Sequence, residues 1–265
     1  MTSLHEVALI TGASSGLGAR FAHILAREKW DLVITGRRLD RLEALRDEIE
    51  QQYGVSVRAV CQDLSKRDSA QQLFDQVQES GDLVRVLVNN AGLGHYGPMM
   101  DQSAESVEAI VQINLASVTR LTRLFAGRMK AAGGGYILQN ASFSGLVAVP
   151  RYSIYAATKS YVVSMGLSLR YELRRSGVHL TVLCPGFTTS EFFGVAGIEM
   201  TRLMRPLMLD PQKVAEAGIS GLFRDRALIV PGAIYKVFAA ILRVLPRSMA
   251  CALAAGLVKN RSRQP

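Results

Sequence analysis

Short apolar runs alternate with helical periodicity from the start of the chain. Val7-Ala-Leu-Ile10, Leu32-Val-Ile-Thr35, residues 55–60 and Val84-Arg-Val-Leu-Val88 read as strands. Between them, residues 19–28, 38–52 and 68–78 carry helical patterns. The second half continues in the same way. A long helix is predicted over 103–131, with Val107, Ile110, Val111 and Leu115 at helical spacing, then a strand at Tyr136-Ile-Leu-Gln139. A helix over 153–175, a strand at Leu180-Thr-Val-Leu183 and a helix over 212–223, capped by Asp210-Pro211, follow. Short β-branched runs between helices predict strands covered on both faces, hence a parallel sheet. Right-handed crossovers then give an α/β fold: a single Rossmann-type doubly wound parallel sheet with helices on both faces. Residues 1–232 are expected to form one domain, with an apolar lid over the site at 187–212. A basic amphipathic C-terminal helical extension is expected over 233–265.

Composition narrows the class. With 265 residues, 49% hydrophobic, the chain is too apolar for a disordered one and long enough for a sizeable core. Cys61, Cys184 and Cys251 share no CxxC spacing, so reduced thiols and a cytoplasmic location are expected. The first ten residues lack a basic signal-peptide region, and no apolar run reaches 18 residues, so neither a leader nor a spanning helix is expected. His5, His23, His95 and His179 lack metal-ligand spacing, so no metal is expected. The net charge is +9, but from Arg224 onward eight basic residues face one acid, leaving the first 223 residues near neutral. That distribution argues against a nucleic-acid partner. It leaves the tail to a membrane surface, to dimer packing or to a solvated basic face.

Three clusters carry candidate chemistry. The first strand enters Thr11-Gly-Ala-Ser-Ser-Gly-Leu-Gly18, where Gly12, Gly16 and Gly18 permit a tight turn and close approach to a pyrophosphate at a helix N-terminus. The second strand ends Thr35-Gly-Arg-Arg38. Gly36 stands where a carboxylate would hold a ribose 2′-hydroxyl, and Arg37 and Arg38 suit a 2′-phosphate, which favours NADP(H). Tyr155 and Lys159 lie one helical turn apart, so the ammonium is expected to lower the phenol pKa and ready it for acid/base work. Ser142 follows a strand, Asn114 sits in the middle of the long helix, where an Asn costs stability without a tertiary role, Asn89-Asn-Ala-Gly92 ends the fourth strand, and Asp63-Leu64 follows the third. All of these fall at strand C-terminal ends, where open α/β sheets bind ligands.

This glycine turn, Asn89-Asn-Ala-Gly92, Asn114, Ser142, Tyr155-x-x-x-Lys159 and Pro185-Gly186, in this order, resemble the motif set of the short-chain dehydrogenase/reductase family over residues 5–193. The tail is similar to that of a subgroup including DltE-type, very-long-chain 3-oxoacyl and hydroxysteroid reductases. The resemblance implies that Tyr155 donates the proton to the carbonyl oxygen and Ser142 polarises it. Lys159 would act on Tyr155 and hold the nicotinamide ribose, and Asn114 would hold a water. Gly12, Ser14, Ser15, Gly16, Leu17 and Gly18 would cradle the cofactor, with Arg37, Arg38, Asp63, Leu64, Asn89, Ala91 and Gly92 around it. Pro185, Gly186, Thr188 and Ser190 would meet its nicotinamide end. Ser190 replaces the family's usual Thr, and Ser15 stands where many NADP-dependent members carry a basic residue. The expected activity is reduction of a lipophilic ketone or aldehyde by a homodimer or homotetramer. An NAD-dependent oxidising dehydrogenase, or a nucleotide-sensing or membrane-surface protein, are the alternatives.

Overall fold

The computed structural model describes residues 5–188, 205–242 and 244–257. Seven parallel strands form one sheet in the order β3-β2-β1-β4-β5-β6-β7. They are β1 (His5–Thr11), β2 (Asp31–Gly36), β3 (Val57–Cys61), β4 (Asp82–Asn89), β5 (Gly135–Asn140), β6 (Val178–Leu183) and β7 (Leu228–Ile229). Alternation along β1 splits the core into two layers. Val7 and Leu9 face α3 (Ser69–Glu79), α5 (Val118–Ala131) and α6 (Ser153–Leu173), packing with Leu73, Leu121, Phe125 and Val162. Ala8 and Ile10 face α1 (Gly16–Arg27), α2 (Leu39–Tyr53) and α7 (Pro211–Phe223), packing with Phe21, Leu25, Ile49 and Ile219. Each such fully buried side chain contributes about 1.5–3 kcal/mol, which fixes the register of sheet against helices.

The chain runs outward from β1 to β3, then returns to β4 on the other side of β1. A crevice therefore opens at the C-terminal ends of β1 and β4, and most of the candidate residues described below lie around it. Two departures from the expected pattern matter here. The long helix is not continuous: α4 (Ala104–Val111) passes into a π-helical stretch, Gln112–Ser117, before α5. The cause is Asn114, whose side chain turns inward to accept from Leu93 N at 2.9 Å and donate to Leu93 O at 2.8 Å and Thr158 Oγ1 at 3.1 Å. The edge strand β7 was also not anticipated; at two residues it pairs only with Val182 and Leu183. Beyond β7, α8 (Ala233–Leu242) and α9 (Arg247–Leu257) form a helical hairpin. None of the described helices is long and apolar enough to cross a membrane.

Candidate active site

The glycine turn is built without slack. Gly12 and Gly16 have φ of 66° and 58°, the left-handed region that only glycine adopts cheaply. A Cβ on Gly18 would lie 2.1 Å from Gly12 O, so α1 packs directly on the turn. Asn90 locks the assembly: its amide donates to Thr11 O at 2.9 Å and Gly12 O at 3.1 Å and accepts from Asn140 at 2.8 Å. Thr11 Oγ1 in turn receives the backbone N–H groups of Asn90 and Ala91. Ser15, at the N-cap of α1, makes no side-chain cap bond, and the first turn holds no acid. The α1 N–H groups thus face the cleft with a positive dipole end, which fits a pyrophosphate.

Gly12, Ser14, Ser15, Gly16 and Leu17 line a cleft of about 390 Å³, joined by Arg37, Arg38, Asp63, Leu64, Ala91 and Gly92. Arg38 reaches back over the turn, donating to Ser15 Oγ at 2.9 Å and Ser14 Oγ at 3.3 Å. Arg37 is exposed at the cleft edge. Burial pushes the Asp63 carboxyl up, but hydrogen bonds from Ser65 N and Oγ, with Arg37 and Lys66 nearby, hold it below the usual range. Asn89 is a correction: it is 2% exposed, its amide donates to Thr122 Oγ1, and it does not line the cleft. The strand pleat turns it away, and Asn90 lines the wall instead. Gly18 lies under the turn rather than on the cleft wall.

On the opposite wall β5 and α6 bring Ser142, Tyr155 and Lys159 together. Ser142 caps a short turn, accepting from Ser144 N at 3.1 Å, and hydrogen-bonds Tyr155. Lys159 donates to Asn140 O at 2.8 Å, and its Nζ lies 5.6 Å from the Tyr155 ring centroid. Asn114 stands behind them; a Cβ on Gly92 would sit 3.4 Å from its Oδ1 and 3.5 Å from Lys159 Nζ. The pKa expectation is reversed. Burial pushes the Tyr155 phenol up to about 12, outweighing the opposing Ser142 hydrogen bond. Burial also lowers Lys159 to about 8, so the ammonium is not the dominant influence on the phenol. Cys184, buried beside them, is pushed up to about 12 by burial and remains a neutral thiol.

Several cleft residues escaped the sequence reading. Tyr152, three positions before Tyr155, stacks on it with centroids 4.3 Å apart, and its buried hydroxyl has no protein hydrogen-bond partner. Their spacing of three on one helix was the available signal. From the C-terminal hairpin, Tyr235, Phe238 and Ala254 also line the cleft. Tyr235 packs over Gly186, where a Cβ would meet its ring at 2.0 Å. Its hydroxyl accepts from Phe187 N and donates to Leu207 O, both at 2.9 Å. Pro185, Gly186 and Thr188 line the cleft as expected, whereas Ser190 and most of the 187–212 lid lie outside the described residues. His95 and Tyr96 do not line it; Tyr96 instead packs edge-on against Tyr152. Among the described residues no group of three His, Cys, Asp or Glu side chains is placed to hold a metal ion.

A doubly wound sheet carrying this turn and this Ser–Tyr–Lys wall defines an oxidoreductase of dinucleotide-binding type. The family model for short chain dehydrogenases matches residues 6–199, and the chain belongs to that family, whose members act on an alcohol/carbonyl pair. It is 33% identical over 193 residues to sulfoacetaldehyde reductase of Chromohalobacter salexigens, covering 71% of this chain and 74% of that protein. A short-chain dehydrogenase from Sphingobium yanoikuyae in complex with NADPH matches with TM-score 0.80 and 30% identity, covering 92% of this chain and 97% of that one. A short chain dehydrogenase/reductase from Burkholderia phymatum in complex with NAD matches with TM-score 0.80 and 27% identity, covering 99% of this chain and all of that one.

Proposed function

We propose that the protein is an NADP(H)-dependent carbonyl reductase that reduces a lipophilic ketone or aldehyde to the alcohol. The observation that carries the reading is the Tyr155 phenol, buried in the cleft wall and hydrogen-bonded to Ser142, with Lys159 one turn further along the same helix. Its proton is the one a carbonyl oxygen takes up on reduction, and the direction rests on Arg37 and Arg38, which favour NADP(H), a cofactor that cells keep mostly reduced. NADPH, held by the glycine turn with Arg37 and Arg38, would supply the hydride for the carbonyl carbon. Tyr155 Oη donates its proton to the oxygen, and the Ser142 hydroxyl hydrogen-bonds that oxygen as negative charge develops. Lys159, anchored on Asn140 O, holds the ribose hydroxyls, with Asn114 buttressing the loop through Leu93.

The cofactor preference rests on Arg38, which bonds both turn serines, on Arg37 beside it, and on the absence of a carboxylate at Gly36. A Cβ at Gly36 would sit 3.3 Å from Ser14 Oγ, so a larger side chain there would crowd this pocket. The long helices that carry Asn114 and Tyr155 leave Val111, Leu167 and Tyr171 exposed, which supports assembly of copies through that face. Val237, Val244 and Met249, exposed on the hairpin beside Lys236 and Arg247, support a weak contact with an anionic membrane surface. The direct test is NADPH oxidation by the purified chain across a panel of ketones and aldehydes. Turnover of the apolar members is expected. NAD+-driven oxidation of alcohols without carbonyl reduction would contradict the reading.

A further inference from the structure

A second cavity, of about 320 Å³, adjoins the cleft, and Phe143, Val147, Phe238 and Ala254 line both. The second cavity's remaining walls come from the hairpin: Ile241 and Leu242 at the end of α8, Leu245 in the loop after it, and Ala250, Leu253 and Gly256 on α9. Among the described residues, none that lines this annex carries a polar or charged side chain. Ala250 forms its buried floor at 7% exposure, while Ile241 and Leu253, 44% and 59% exposed, form an open mouth. Phe143 lies immediately after Ser142 and packs edge-on against Tyr235 with ring centroids 5.1 Å apart, so the lining shared by the two cavities begins beside Ser142.

We infer that the annex is the subsite for an unbranched alkyl chain attached to the reacting carbonyl. The inference rests on the reductase reading for the carbonyl end and names the class of substrate: a ketone or aldehyde with an extended apolar chain. The carbonyl sits at Ser142 and Tyr155, and the chain passes between Phe143 and Ala254 into the hairpin. A polar or charged group would leave its hydrogen bonds unmade there, because nothing in the lining can supply them. The open mouth lets a longer chain leave the hairpin, so the gain per carbon levels off instead of turning into a clash.

The test pairs two readouts on the full-length chain: calorimetric binding of 2-alkanols from four to sixteen carbons, and NADPH-dependent turnover of the matching 2-alkanones. Affinity is expected to rise by up to about fourfold per methylene until the annex is filled, then flatten. Ala250→Phe, which fills the floor, should move the flattening to shorter chains. Leu242→Ala, which opens it, should move it to longer ones, a pair of opposite shifts that loss of folding cannot imitate. A flat alcohol series, or one whose break neither variant moves, overturns the annex even when ketones are turned over. A rising series without ketone turnover leaves the annex standing and overturns the reductase reading instead.

Discussion

Two regions meet at one cleft and are built on opposite principles. Around the glycine turn the supporting side chains are spoken for, which leaves the α1 N–H groups to the cleft: Asn90 bonds Thr11 and Gly12, Asn140 bonds Asn90, and Arg38 bonds Ser14 and Ser15. Space is equally exhausted, since a Cβ on Gly12 would come within 2.8 Å of Ala91 Cα. The C-terminal hairpin is apolar, contributes one hydrogen-bonding anchor through Tyr235, and leaves Val244 83% exposed. A polar, space-filled wall suits a ligand of one fixed shape. An apolar wall with room suits a ligand of variable length, because dispersion and burial do not demand direction.

The largest break in this comparison comes from the chemistry between the two regions. Tyr155→Phe removes the proposed proton donor and should lower kcat about 10²–10⁴-fold, with dinucleotide affinity, read by fluorescence titration, expected to change little. Undiminished turnover would place the acid elsewhere. Next is pH. Lys159, lowered by burial to about 8, is charged below that value and loses its proton as pH rises through it. Tyr155 stays protonated across the same range. Reductive kcat/KM should therefore fall above pH 8, and Lys159→Arg, which cannot lose its charge, should flatten the alkaline limb.

Glycine substitutions sharpen the contrast on a smaller scale. Gly18→Ala places a Cβ against Gly12 O and should cost about 1–3 kcal/mol, read as a Tm lower by several degrees with weakened dinucleotide binding. Gly256→Ala in α9 meets nothing within 4 Å and should stabilise the helix by up to about 1 kcal/mol. Equal effects at the two positions would contradict the distinction drawn between them.

What the sequence made legible follows from where the determining contacts lie. Strands β1, β2, β4, β5 and β6 announce themselves because each holds an apolar run largely buried on both faces, whereas β3 is buried only at Val57; the turn is legible because its glycines are local. Asn114 is different: the partners that bend its helix, Leu93 and Thr158, lie 21 and 44 positions away. Asn89 and Asn90 are the same residue in adjacent places, and only the pleat of β4 decides which faces Thr122 and which the cleft. The spacing of Tyr155 and Lys159 revealed the charge partner but not the burial, and burial sets the direction of both shifts. Tyr235, Phe238 and Ala254 carry no motif; their place on the cleft depends on how the hairpin docks.

The reading stands or falls most directly on nucleotide preference. Titration of the protein with NADPH and NADH, repeated for Arg37→Ala and Arg38→Ala, isolates the 2′-phosphate, whose charge-assisted bonds to arginine are worth about 1.5–3 kcal/mol. The account predicts that NADPH binds tenfold or more tightly than NADH and that losing either guanidinium narrows the gap while leaving NADH affinity nearly constant. NADH binding as tightly as NADPH, or a ratio unmoved by both substitutions, would contradict it.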